Sequence, residues 1–269
     1  MKLDLAIGFL YQNSARTVED YIEELQVFKD ASDTLLRPGV MPEVDMGLAS
    51  LDKLPQQVIR YSVSLDVDFI PLSLLSMLLE ESEESIRNIL APLERMSLVT
   101  ILAEGTGIKI HRSVKESCRY YFQWNTGDDL NEKVLVNRLI QVLSEIMPRV
   151  TPWPDARWET GVLYAPHVSQ VLAKAIEIFD THPVMVYLLD LMANYQKEVA
   201  YDYPQALFYL KHALTARQKL YGKFPHPDVA KSLNDVGVVY QRSRRLIVLD
   251  FVIIYGCMSV CEYFCYRVR

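Results

Sequence analysis

Few residues in this sequence have the types and the spacing that enzyme or metal chemistry requires. The five histidines form no HExxH pair, and none lies near a cysteine at the spacing of metal ligands. Three of the cysteines, Cys257, Cys261 and Cys265, recur every four residues, which places them along one helix face. Zinc and iron–sulfur sites usually show the tighter CxxC spacing. We therefore expect neither a metal site nor a catalytic centre.

The sequence also lacks a loop that could cradle phosphate groups. GTGIK at residues 105–109 has neither the spacing nor the following Ser or Thr of the GxxxxGK[ST] phosphate loop. The acidic run EESEES at residues 80–85 lies where a helix is predicted to begin, and carboxylates there favour the helix dipole and solvent. Both stretches are interpreted as structural, and no cofactor is expected from this chain alone.

The balance of charge disfavours nucleic acid as a partner. The formal net charge is −6, whereas affinity for nucleic acid depends largely on clustered Lys and Arg. Cys118 stands apart from the three cysteines near the C-terminus, which is more typical of a reducing compartment than of a disulfide scaffold. The expected location is therefore the cytoplasm.

Hydrophobic periodicity predicts a mainly α fold. In TVEDYIEELQVFKD, within a helical segment covering residues 1–50, Thr17 and Asp20 are placed as a capping box. Apolar residues follow at spacings of three and four, and the stripe they form consists of Val18, Tyr21, Ile22, Leu25 and Phe28. Residues 30–53 are predicted to be a connection because they hold prolines and glycines among polar residues.

The period of the pattern changes within residues 54–122. Two apolar helices, divided around DVDFIPLS with Pro71 in a first helical turn, are followed by the helix EESIRNILAPLERMS. Two short β-rich runs, LVTIL and IKIHR, then flank the turn AEGTG and predict a hairpin. Three helices and a small β-hairpin are the pattern of a winged helix. Acidic residues outnumber basic ones here, which disfavours DNA binding.

Every later segment up to residue 245 is predicted to be helical. Residues 125–180 form a helical connector, and a repeat occupies residues 181–245. At an offset of 45 residues (233 − 188), Leu188, Leu191 and Tyr195 align with Leu233, Val236 and Tyr240. Two HP pairs, at 182 and 226, are separated by nearly the same distance. Such a repeat predicts stacked helix pairs that cannot bury their faces singly.

This repeat resembles the tetratricopeptide family in its kinesin-light-chain-like form, marked by LYGKFPHPDVAKSLNDVGVVY. The residues that carry the resemblance are Leu233, Val236, Gly237 and Tyr240 on one helix and Ala206, Leu210 and Ala213 on the helix before it. Small residues let neighbouring helices approach closely. About one and a half repeats are predicted. The family implies a protein or peptide partner and disfavours a small molecule.

Upstream of the repeat, LAPLERMSLV followed by IKIHRSVKE resembles the winged helix of NB-ARC proteins, which are STAND-type signalling ATPases. LDLAIGFLYQNSARTVEDYIEEL resembles the end of their NB-ARC region, and WETGVLYAPHVSQVL resembles the stretch before their repeats. The resemblance implies that His111, at the end of the second wing strand, contacts bound ADP. The alternative is that His111 is a polar residue at a hairpin end. Arg112 departs from the family, in which an acidic residue often follows the histidine.

The missing phosphate loop limits what this resemblance implies. ADP or ATP would bind only if a nucleotide-binding domain were supplied from outside the chain. The resemblance therefore implies a C-terminal fragment of a longer signalling protein.

The last segment, residues 246–269, breaks the repeat with an apolar run. Leu246 to Phe264 is long enough to span a bilayer, and arginines flank it on both sides. Three interpretations stay open: an artefact of the gene model, a transmembrane or membrane-associated helix, and a buried capping helix. Membrane association is thus the alternative to a cytoplasmic location.

Together these patterns predict a non-catalytic, regulatory and scaffolding portion of an NB-ARC-like tetratricopeptide signalling protein, which acts through protein–protein interaction. Two alternatives stay open. One is the C-terminal part of an ADP- or ATP-binding STAND NTPase switch. The other is a membrane-anchored tetratricopeptide adaptor.

Overall fold

The computed structural model describes residues 2–12, 16–34, 41–102, 105–125, 129–222 and 225–243. These residues are mainly helical, which confirms the prediction of a mainly α fold. The apolar run at 246–264 lies outside them. Within the described ranges, no helix combines the length and the apolar character that crossing a membrane demands.

Contacts divide the chain into two compact units, Met1–Leu139 and Ile140–Arg269. The first unit contains α1 (Lys2–Gln12), α2 (Val18–Thr34), α3 (Pro42–Ala49), α4 (Lys53–Ser62), β1 (Ile70–Pro71), α5 (Leu72–Leu79), α6 (Glu83–Arg95), β2 (Thr100–Ile101), β3 (Gly107–Lys109) and α7 (Arg112–Asn125). The division falls within α8 (Asp129–Ile146). The second unit contains α9 (Ala156–Ile178), α10 (Pro183–Glu198), α11 (Tyr203–Tyr221) and α12 (Pro227–Arg242).

Helices α1, α2 and α3 share a small apolar core in which Phe9, Tyr21 and Met46 are buried. The capping box predicted for α2 is confirmed: the Thr17 backbone N–H donates to the Asp20 carboxylate at 2.8 Å, and the Asp20 N–H donates to the Thr17 hydroxyl at 3.2 Å. The predicted stripe is only partly correct. Leu25 and Phe28 pack against this core, but Val18 and Ile22 are exposed.

The connection predicted for residues 30–53 is wrong for much of its length. Helix α2 continues to Thr34, and α3 buries most of its residues against α1, α2 and α7. Pro42 occupies the first turn of α3, where its missing N–H costs no hydrogen bond. The Met41 N–H donates to the Ser117 hydroxyl of α7 at 2.8 Å. Tertiary contact thus turns a proline- and glycine-containing stretch into a helix.

A three-stranded antiparallel sheet has the order β1-β3-β2. The two predicted hairpin strands pair as expected, with Ile101 opposite Ile108. The prediction for Pro71 is wrong, because Pro71 belongs to β1 and precedes α5 instead of lying in its first turn. Proline lacks a backbone N–H and suits such an edge strand. A Cβ at Gly107 would come within 2.7 Å of the Ile70 carbonyl oxygen, so this pairing requires glycine.

Two further features shape the first unit. Helix α6 is capped by Ser82, whose hydroxyl accepts the Ser85 N–H at 3.1 Å, and it has two glutamates in its first turn. Carboxylates at this end favour the helix dipole. Cys118 on α7 is fully buried. Burial, followed by the charge of Asp45, raises the pKa of its thiol, so the thiolate is strongly disfavoured at neutral pH.

In the second unit, α10 packs against α9 and α11, and α11 packs against α12. Helix α11 buries small residues, Ala206, Ala213 and Ala216, which let its neighbours approach closely. Asp202 caps α11 by accepting the Gln205 N–H at 3.0 Å. Helices α10, α11 and α12 each carry a proline in the first turn.

Gly8 is required where α1 crosses α6. A Cβ at this position would overlap the carbonyl oxygen of Arg95 and lie 2.5 Å from the Cα of Met96. Alanine is the better helix former, but here its methyl group would push two backbones apart. We expect Gly8→Ala to lower the free energy of unfolding of the first unit by about 2 kcal/mol, measured by urea unfolding of the full chain.

Gly237→Ala is the matched control, because it adds the same methyl group to a helical glycine. A Cβ at Gly237 meets no atom within 4 Å. This variant should be neutral or more stable by up to about 1 kcal/mol. Equal effects of the two substitutions would contradict the close approach of α1 and α6.

Candidate interaction groove in the second unit

Three helices of the second unit meet at a buried ion pair. The carboxylate of Asp190 on α10 accepts two hydrogen bonds from the guanidinium of Arg217 on α11, at 3.1 and 2.5 Å. Only 9% of the Asp190 side chain and 12% of the Arg217 side chain are exposed. Burial lowers the pKa of Arg217, but the hydrogen bonds and charge of Asp190 outweigh burial and raise it. The same guanidinium donates to the Ser232 hydroxyl of α12 at 2.7 Å.

A second buried carboxylate lies at the end of α10. Glu198 accepts hydrogen bonds from Arg242 of α12, with Nη1 3.0 Å from each carboxylate oxygen. Its Oε1 also lies 3.0 Å from Nζ of Lys197. Helix α12 is therefore bound to α10 near its first turn through Ser232 and Arg217, and at its last residue through Arg242. These polar contacts fix how α12 lies along α10.

Arg149 lies in the turn before α9, where its carbonyl accepts a hydrogen bond from the Arg157 guanidinium at 3.5 Å. The indole N–H of Trp158 donates to the Thr151 carbonyl at 2.9 Å, and the Thr151 hydroxyl donates to the Trp153 carbonyl at 2.9 Å. Asp155 caps α9 and accepts hydrogen bonds from the Arg157 guanidinium, which holds the pKa of Asp155 below its usual range. The turn is therefore held by hydrogen bonds within it and by hydrogen bonds from the first turn of α9.

A small groove of about 40 Å³ opens where Arg149 meets α10, α11 and α12. Its apolar lining residues are Ala193, Leu210 and Val239, and its polar lining residues are Arg149, Asp190, Asn194, Lys197 and Asp235. The charges are of both signs, and that of Asp190 is already balanced by Arg217. The groove is far smaller than the roughly 300–1,000 Å³ of pockets that enclose small molecules.

Asn194 is the unusual residue of this groove. Its side-chain oxygen has no exposed surface and accepts no hydrogen bond from any described residue. Leaving a buried acceptor unpaired costs about 1–3 kcal/mol, and native structures seldom leave one without a reason. The Asn194 side chain as a whole is only half-buried, so a rotation of its amide would present this oxygen to a donor N–H from outside the chain.

The predicted repeat residues occupy different environments. Leu188, Leu191, Ala206, Leu210, Ala213 and Val236 are buried, Tyr195, Leu233 and Tyr240 are half-buried, and Gly237 is exposed. The ring of Tyr195 lies against Gly161 of α9, where a Cβ would come within 3.0 Å of the ring. Nζ of Lys211 lies 5.6 Å from the ring centroid of Tyr240. Leu210 is the member of this set that lines the groove.

His111 is exposed and lies between β3, which ends at Lys109, and α7. Its Nδ1 lies 2.7 Å from the Ser113 hydroxyl and accepts the Ser113 N–H at 3.3 Å, while its carbonyl accepts the Lys115 N–H at 2.9 Å. These bonds give the residue a local role at the start of α7. The ADP contact implied by the resemblance stays a prediction.

The polar residues of the groove and its network did not emerge from the sequence pattern. Asp190 was the available signal, because it is a single charge within the apolar stretch VYLLDLMANY. A charge on a buried helix face requires a partner. Its partner Arg217 lies on the next helix, and sequence spacing alone does not select it from the other basic residues there.

We expect Asp190→Asn to destabilise the second unit by about 3 kcal/mol, because it leaves the Arg217 guanidinium buried without a counter-charge. Urea unfolding followed by circular dichroism measures the loss. Adding Arg217→Met should restore part of it, since the uncompensated charge is then removed as well. Strictly additive effects of the two substitutions would contradict the pairing.

Asp180→Asn provides the control, because it makes the same chemical change in an exposed pair. Asp180 lies 2.6 Å from Lys219, and 85% of its side chain is exposed. Exposed ion pairs contribute about 0–1 kcal/mol. A loss as large as that of Asp190→Asn would show that burial is not the deciding factor.

Comparison of the chain with protein-family models, with curated proteins and with solved structures finds no match. Function is therefore assigned from the residues of the groove and the polar network beneath it.

Proposed function

We propose that the second unit is a protein-interaction module that binds an extended peptide segment of a partner protein along the groove between α10 and α12. The observation that carries this function is the buried, unpaired oxygen of Asn194 at the groove. A backbone N–H of an extended peptide is a donor that every partner sequence supplies. The apolar lining formed by Ala193, Leu210 and Val239 would contact a side chain of the same peptide.

The size and the charges of the groove support a peptide over a metabolite. A space of about 40 Å³ holds only a small group, so most of any ligand must lie outside it. Arg149 and Lys197, the latter paired with Glu198, are its cationic lining residues, and Asp235 is an anionic one. Such mixed polarity suits the alternating donors and acceptors of a polypeptide backbone.

The finer proposal is that α10, α11 and α12 form tetratricopeptide-type repeats and that α4, α5 and α6 with the three strands form a winged helix. The contacts of α11 with both α10 and α12 support the first part, and the strand order β1-β3-β2 supports the second. On this view the chain is the non-catalytic, regulatory and scaffolding portion of an NB-ARC-like signalling protein. Its expected location is the cytoplasm.

A random-peptide display library selected on the immobilised full chain tests the binding function, and fluorescence anisotropy then measures the affinity of the selected peptide. Asn194→Ala should weaken that peptide about tenfold, the effect of losing a buried hydrogen bond of about 1.4 kcal/mol. The same substitution should not destabilise the free chain, because the Asn194 oxygen accepts no bond from the described residues.

Thr215→Ala is the control variant. Thr215 is exposed on α11, does not line the groove, and donates its hydroxyl to the Lys211 carbonyl of its own helix. Its affinity should equal that of the unmodified chain. Selection of no peptide, or equal affinities for the Asn194 and Thr215 variants, would contradict binding at the groove.

A further inference from the structure

Helices α10 and α12 begin with the same capping arrangement, in which a histidine precedes a proline. Nδ1 of His182 accepts the Met185 N–H at 3.3 Å, and Nδ1 of His226 accepts the Asp228 N–H at 3.2 Å. Both histidines have extended backbone and occupy the N-cap position. Each imidazole satisfies a backbone donor that the first helical turn leaves unpaired.

An imidazole can serve as this kind of cap only while it is neutral. Accepting a hydrogen bond at Nδ1 requires that nitrogen to carry no proton. Protonation places an N–H against a backbone N–H and adds a positive charge at the positive end of the helix dipole. Each cap is therefore lost when its histidine is protonated.

The two caps have different surroundings. His182 is partly buried, and its ring lies against Phe179 with centroids 5.0 Å apart. Burial lowers the pKa of His182, and no charged group contributes to this shift. Asp180, two residues earlier, contacts Lys219 of α11 at 2.6 Å. Among the described residues, no carboxylate forms an ion pair with His182.

The cap of α12 has a built-in counter-charge. His226 stacks on Tyr221 with ring centroids 3.4 Å apart and an interplanar angle of 6°. Its Nδ1 lies 3.8 Å from the carboxylate of Asp228, which also accepts a hydrogen bond from the Tyr221 hydroxyl. The capping nitrogen of His226 therefore has a carboxylate beside it.

We propose that His182 is an acid-sensitive joint, by which we mean that protonation of its imidazole opens the first turn of α10. The first turn of α10 contains Met185 and Val186, which are 2% and 4% exposed, so its opening also uncovers apolar surface. This joint does not depend on the groove having a ligand.

The sign of the pH dependence follows from the lowered pKa of His182. The unfolded chain takes up the proton at higher pH than the folded chain does, so stability falls as pH decreases below about 6.5. The loss is complete once pH has passed below the folded pKa. Above about pH 6.5 the cap contributes fully.

Amide hydrogen exchange of Met185 and Val186 in the full chain tests the joint. After correction for intrinsic exchange, the opening ratio should rise about fivefold between about pH 7.5 and about pH 5.5, the ratio produced by loss of a typical cap. In His182→Asn the ratio should be independent of pH, because asparagine caps through an oxygen that does not titrate. In His226→Asn the dependence at Met185 should match that of the unmodified chain.

Two results would overturn the proposal: opening that does not vary with pH in the unmodified chain, or pH dependence that survives in His182→Asn. An NMR titration of the imidazole provides a second measurement that needs no variant. His182 should titrate below the ordinary value of about 6.5, and titration above that value would also overturn the proposal.

Discussion

The second unit depends on the buried contact between Asp190 and Arg217. Two charges removed from water give little net stability, because their mutual attraction mainly offsets the cost of desolvation. Separating them inside the protein nevertheless costs much free energy, because each would be left as an unpaired buried charge. Helices α10 and α11 therefore resist sliding past each other. The bond from Arg217 to Ser232 extends the constraint to α12. The groove lies between helices whose relative positions this contact and the Glu198–Arg242 pair both constrain.

The first unit obeys a constraint of a different kind, namely how closely two backbones approach. Gly8 lets α1 lie against the end of α6, and Gly107 lets β3 lie against β1 and the ring of Phe69. A side chain can relieve a clash by changing its rotamer, but a backbone carbonyl can move only if its helix or strand moves with it. Close backbone approach therefore constrains the first unit, whereas the second adds a buried ion pair to the close packing of its small residues.

Features that depend on residues close in sequence could be predicted, whereas features that depend on contacts between distant residues could not. The capping box at Thr17 involves neighbours three residues apart, so its geometry follows from the residues alone. The two hairpin strands are likewise close in sequence. Helix α3 depends on a bond between Met41 and Ser117, 76 residues apart, which no local pattern reveals.

The candidate site illustrates the same limit. Spacing predicted the helices that line the groove, and the tetratricopeptide resemblance included Leu210, which is one of its lining residues. The sequence does not distinguish Asn194, Lys197 and Asp235 from other single polar residues, most of which face solvent. Their significance appears only when three helices and the turn at Arg149 converge. The exposure of Val18 and Ile22 shows the related problem that periodicity finds a helix more reliably than the width of its buried face.

The burial of Cys118 has a consequence for oxidative chemistry. Peroxides and alkylating reagents attack the thiolate, and this thiol is both enclosed and held in its protonated form. Within the part of the chain that the structure describes, covalent modification of cysteine must therefore await opening of the first unit. The rate at which Cys118 reacts would then measure how often that unit opens.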